Sequence, residues 1–193
     1  MQASLHIGYD PQHPEAFAVA RHSVRRLMSR ALPIGGVHIA ALRREGLYRR
    51  ADDDMSVARF FTPAIAGWKG WAIYLTGNAL ALTDPARIME TLDPRFAVMW
   101  GGEGVMAFNC GHFANAALTL DLLNEGNAVD IAALTWLPAS ASTQLPREWG
   151  WTPQNGDPLV TPAIADMTDH PPDHPLAEEW RRAHRLWVAG DYA

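Results

Sequence analysis

Four residues that could ligate a divalent cation, Asp169, His170, Asp173 and His174, fall within six positions of one another. Carboxylate and imidazole groups suit zinc or a harder metal. Two consecutive prolines stiffen the same run, however, and nothing in the sequence preorganises a further ligand beside it, so a solvated loop is expected. The acidic triple Asp52, Asp53 and Asp54 carries the same expectation, because adjacent carboxylates repel and such runs usually sit in water. Arg43, Arg44, Arg49 and Arg50 could hold a phosphate, but surface arginines on connecting segments are common. His22, beside Arg21, falls in a helical pattern, where a single histidine more often packs or faces water than serves as acid or base.

No Gly-x-Ser-x-Gly elbow, Gly-Lys-Ser/Thr phosphate loop or Gly-x-Gly-x-x-Gly dinucleotide turn follows a strand pattern. Gly101-Gly102-Glu103-Gly104 lies between two apolar runs and reads as a tight connection rather than a phosphate cradle. Cys110 is the only cysteine, which excludes an intrachain disulfide and a cysteine-based zinc site.

The elements that must position these residues follow from periodicity. Leu5, Ile7 and Tyr9 alternate with Ser4, His6 and Gly8 before Asp10-Pro11, the pattern of a strand closed by a turn. Phe17, Ala20, Val24, Leu27, Met28 and Ala31 recur at helical spacing between arginines, with Pro14 at the first turn and Pro33 as a stop. Ile34, Val37 and Ile39 form a second apolar segment, so a βαβ opening with a crossover helix is expected. Residues 71–75, 95–100 and 105–108 read as strands. Residues 85–92 read as a short helix and 114–123 as a longer one capped by Gly126. From Pro138 onward Pro, Ser, Thr and Asp predict loops, followed by a final helix over 175–188 with Trp180, Ala183, Leu186 and Trp187 on one face.

The chain has 193 residues, a formal charge of -5 and 48% hydrophobic residues. This length predicts a single domain spanning residues 1–193, and the charge lacks the basic footprint of a nucleic-acid binder. No window reads as a membrane span or a secretory leader, so a cytoplasmic protein is expected. Most of the eight tryptophans are expected in the core, and the remainder on a sugar- or partner-contacting surface.

Several blocks in order carry a resemblance. His6-Ile7-Gly8-Tyr9-Asp10, Glu15-Ala16-Phe17-Ala18-Val19 and Arg21-His22-Ser23 resemble the start of small bacterial nucleotide-sugar glycosyltransferases related to family 8. Ala58-Arg59-Phe60, Gly67-Trp68-Lys69-Gly70-Trp71-Ala72-Ile73-Tyr74-Leu75, Phe108-Asn109-Cys110-Gly111-His112 and Leu145-Pro146-Arg147-Glu148-Trp149-Gly150-Trp151 are similar to later blocks. The resemblance implies an α/β protein of GT-A type, a mixed, mainly parallel sheet flanked by helices. It also implies that Gly8 and Tyr9 lie beside base and ribose, Arg59 faces the phosphates, and Asn109 and Gly111 lie near sugar or acceptor.

In that family an Asp-x-Asp pair holds manganese or magnesium against the diphosphate leaving group. Here the corresponding positions read Thr76-Gly77-Asn78, without a carboxylate. Asp166 stands where relatives carry a metal-binding histidine, Pro138-Ala139 where an acidic pair is expected, and the Gly101–Gly104 connection is short. The expectation is therefore a glycosyltransferase-like protein with a degenerate donor site at Gly8, Tyr9, Arg59, Thr76, Asn78, Asn109 and Gly111. It needs no metal cofactor and is retained to bind a nucleotide diphosphate sugar, a glycan or a partner. Two alternatives remain open: an active transferase in which Arg59, Lys69 or Arg147 replaces the cation, and an interaction module using the tryptophan-rich C-terminal third.

Overall fold

Leu5 and Ile7 face one side of the first strand, β1 (Ala3–Gly8), and pack on Ala20 and Val24 of the helix that follows, α1 (Pro14–Leu27). The computed structural model describes residues 2–102, 104–154, 159–168 and 173–190. Of the residues singled out above, Glu103, Asp169 and His170 lie outside them. Helix α1 ends six residues short of Pro33, because the backbone N–H and hydroxyl of Ser29 both bond the Asp84 carboxylate and draw the chain away. The chain then returns as β2 (Ile34–Val37), parallel to β1, so α1 is the expected crossover. Ile39 does not extend β2. It opens α2 (Ile39–Arg44), whose N-terminus is capped by the His38 ring accepting from the Ala41 N–H at 3.2 Å.

The acidic triple lies in an exposed loop, as expected, and is paired there. Asp52 accepts from the Tyr48 hydroxyl at 2.9 Å and pairs with Arg50, Asp53 pairs with Arg43, and Asp54 caps α3 (Met55–Ala58). A 3₁₀ turn then carries the chain into α4 (Thr62–Ile65) and the buried strand β3 (Trp71–Leu75). After β3 come β4 (Ala79–Ala81), a 3₁₀ run over Pro85–Glu90, β5 (Val98–Gly101) and β6 (Val105–Asn109).

The long helix expected over 114–123 is divided into a 3₁₀ turn (Phe113–Ala117) and α5 (Leu120–Glu125). Thr119 causes the break, since its hydroxyl caps the new helix through the Leu122 N–H at 3.1 Å. Gly126 follows as expected, although its backbone is extended rather than left-handed. Next are α6 (Ala128–Ala132), β7 (Ser142–Gln144), β8 (Ile164–Asp166) and α7 (Pro175–Val188).

The main sheet runs β2-β1-β3-β6-β5-β7, and β4 pairs with β8 in a second, two-stranded sheet. Strand β6 is antiparallel to both neighbours while every other pairing in the main sheet is parallel, so five strands share one direction. Apolar cores cover both faces: Leu5, Ile7 and Ile73 on one, Ala72, Val98 and Phe108 on the other. As expected, most of the tryptophans lie in or against the cores, with Trp71 and Trp149 buried outright. Trp100, Trp136, Trp151 and Trp180 pack half-buried against the cores, and Trp68 is exposed. No described helix is long and apolar enough to cross a membrane.

Candidate functional site

Parallel neighbours bring the C-terminal ends of β1 and β3 together, which places Gly8 and Tyr9 beside Thr76, Gly77 and Asn78. The approach is close enough to require both glycines. A Cβ on Gly77 would stand 2.7 Å from the Gly8 carbonyl oxygen, and one on Gly8 would stand 2.6 Å from the Tyr74 hydroxyl. Tyr9 leaves the strand half-buried, its ring edge-on to Phe17 at 5.4 Å and to His38 at 4.5 Å.

Beneath Gly8, burial pushes the Tyr74 phenol up to about 12, with the Arg59 guanidinium opposing that shift and the Asp166 carboxylate adding to it. Arg59 is half-buried and packs over the Phe60 ring at 5.2 Å. Cation, phenol and carboxylate thus share one neighbourhood.

Asp166, at the end of β8, reaches the end of β3 through Thr168. The Asn78 amide donates to the Thr168 hydroxyl at 3.1 Å, and that hydroxyl donates to Asp166 Oδ1 at 2.7 Å. The Thr168 N–H donates to the same oxygen at 3.0 Å, and the Met167 N–H to the Asn78 carbonyl at 3.0 Å. The short β5–β6 connection closes the group from the side: a Cβ on Gly104 would meet Asp166 Oδ2 at 2.9 Å, and the Gly104 carbonyl accepts from the Thr76 N–H at 2.8 Å. Trp151 backs the cluster, its carbonyl accepting from the Asp166 N–H at 2.9 Å.

Gly8, Tyr9, Arg59, Thr76 and Asn78 are therefore brought together, and Asn109 and Gly111 are not. Because β6 runs against β3, Asn109 pairs with Trp71 at the far end of the strand, about 13 Å away at ~3.3 Å per residue. There its amide donates to the carbonyls of Pro94 and Phe96. Pro138-Ala139 is also remote, since it precedes β7, whose start pairs with the start of β5. Lys69 lies ahead of β3 at that same far end, which removes it as a substitute cation. Thr168 was not singled out by sequence, although its position two residues after Asp166 is the spacing of a local side-chain turn.

The site is not uncharged, since Asp166 supplies a carboxylate. Among the described residues it does not supply the donor set of a magnesium or manganese centre. A hard cation needs several oxygen ligands, and among those residues Asp166 is the one carboxylate of this group, its Oδ1 accepting twice from Thr168, with neutral Asn78 and Thr168 bonded to each other. No group of three or more His, Cys, Asp or Glu gathers among the described residues.

This sheet order with its one reversed strand is that of a GT-A fold. The chain superposes on glycosyltransferase GlyE of Streptococcus pneumoniae TIGR4 with a TM-score of 0.69 and 13% identity, covering 98% of this chain and 62% of that one. It thus spans less than two thirds of GlyE. The galactosyltransferase LgtC, solved with donor and acceptor sugar analogues, gives a TM-score of 0.61 at 12% identity, covering 96% of this chain and 95% of LgtC. Among curated proteins, Protein CDI of Arabidopsis thaliana is 23% identical over 200 residues, 85% of this chain and 76% of its own. No protein-family model matches.

Proposed function

We propose that this chain binds a nucleoside diphosphate or nucleotide sugar at the C-terminal ends of β1 and β3, without cation-dependent sugar transfer. The observation that carries this reading is the bonded series Asn78–Thr168–Asp166. Cation-assisted transfer from a diphosphate needs negative oxygens that grip the metal as the leaving group gains charge. Among the described residues, the Asp166 carboxylate has one oxygen engaged by Thr168, and Asn78 and Thr168 beside it are neutral. Tyr9 offers a ring at the end of β1, and Arg59 supplies a cation beside Tyr74 that could meet a diphosphate. Calorimetric titration with uridine and guanosine diphosphate sugars, with and without manganese, tests the proposal. Binding indifferent to manganese and unaccompanied by turnover is expected, whereas manganese-dependent tightening with sugar release overturns it.

A cation-independent transferase is the second reading, favoured by the position of Arg59 beside Tyr74 and Asp166. It requires turnover by the wild type in the presence of a chelator, and loss of that turnover in Arg59→Ala with the fold retained.

A further inference from the structure

The cations of this acidic molecule are unevenly neutralised. Arg43, Arg49, Arg50, Arg87, Arg95, Arg181, Arg182 and Arg185 each lie within ion-pair distance of a carboxylate. Among the described residues, Arg21, Arg25, Arg26, Arg30, Arg44 and Lys69 have no such partner, and all of these but Arg44 border one run of depressions along α1. The first, about 350 Å³, lies between α1 and α7, with Arg21, Arg25 and Arg26 around Phe17 and Trp187. The second, about 320 Å³, shares Arg21 and Arg25 and is floored by Met28, Leu32 and Ile34. The third, about 570 Å³, shares Leu32 and continues past Arg30 to Lys69.

The run passes beside Ile34 at the start of β2, which is the edge strand of the main sheet. It therefore combines an apolar floor, a basic wall and a strand edge. These are the parts that recognise an extended chain: main-chain bonds at the edge, apolar pockets for alternate side chains, and charge for the rest.

We propose that this groove seats a short, extended acidic segment of a partner protein. This goes beyond nucleotide binding and does not depend on it. Without the five groove cations, the other 11 basic residues face 21 acidic ones, leaving a charge of -10. A long polyanion such as nucleic acid would run into that repulsive surround, whereas a short acidic stretch would meet the groove cations, with Asp84 and Glu90 bordering the groove beside Arg30.

Fluorescence anisotropy with a short labelled peptide of alternating Glu and Val tests the proposal on the full chain. Binding at low ionic strength that weakens as salt rises is expected, with a loss of at least ~10-fold in the Arg21→Glu/Arg25→Glu double variant. Arg25→Gln/Arg30→Gln provides the same readout should charge reversal compromise folding. Arg44→Glu, a change to an unpaired arginine on α2 outside the groove, is expected to leave binding unchanged. The proposal is overturned by no binding at low salt, by equal weakening in Arg44→Glu, or by tighter binding of a single-stranded oligonucleotide of equal charge. Nucleotide affinity, measured separately, is unaffected by the groove variants, so the two proposals fail independently.

Discussion

The Asn78 amide and the Thr168 hydroxyl, 90 residues apart in sequence, meet at 3.1 Å and fasten the end of β3 to the turn after β8. Through Thr168 the bond extends to the Asp166 carboxylate, which converts three separate side chains into one group.

Replacing Asn78 with Asp tests the charge balance of that group. The variant loses a donor to Thr168 and places a second carboxylate near Asp166, so destabilisation of about 1–2 kcal/mol at neutral pH is expected, relieved by manganese. Thermal melts with and without the metal measure it. An Asn78→Asp protein indifferent to manganese would show that the acidic pair alone does not create a cation site here.

The Gly8–Tyr74 approach predicts a selective rescue. Gly8→Ala and Gly77→Ala are each expected to lose about 1–3 kcal/mol through overpacking. Tyr74→Phe removes the hydroxyl that obstructs a Cβ on Gly8, and so recovers much of the first loss. It recovers none of the second, which arises from the Gly8 backbone carbonyl. Urea denaturation of the single and double variants provides the comparison.

His6 sets a pH dependence. Burial lowers its pKa from 6.5 to about 4, so between those values the unfolded chain holds the extra proton. Its contribution is complete above pH 6.5 and is lost as pH falls toward 4, amounting to about 3 kcal/mol at most. Unfolding free energies at pH 4.5 and 7 are expected to differ less in His6→Gln than in the wild type.

Cys110 is expected to react slowly. Burial pushes its thiol up to about 11 from 9.0, which reduces the thiolate fraction about 100-fold near neutral pH. A disulfide-exchange reagent followed by absorbance is expected to label the native protein far more slowly than the urea-unfolded chain.

The strands and helices legible in the sequence are those long enough to show a period: β1, α1, β3, β6 and α7. Strands β4, β7 and β8 have three residues each, too few for alternation to separate from a loop. The pairing of Gly8 with Thr76 and Asn78 follows from two parallel strands ending together. An apolar run reads alike in either direction, so only the antiparallel ladder shows that Asn109 lies at the end of β6 away from Gly8 and Asn78. Asp166 stood out as a substitution, whereas Thr168 gained its meaning from the fold that carries it to Asn78.

The reversal of β6 also makes the connection between β5 and β6 the natural grafting point for a lid. Both strands flanking it are pinned by ladders, so a longer insert there would project past the strand ends beside Thr76 and Asp166, while the platform beneath kept its register.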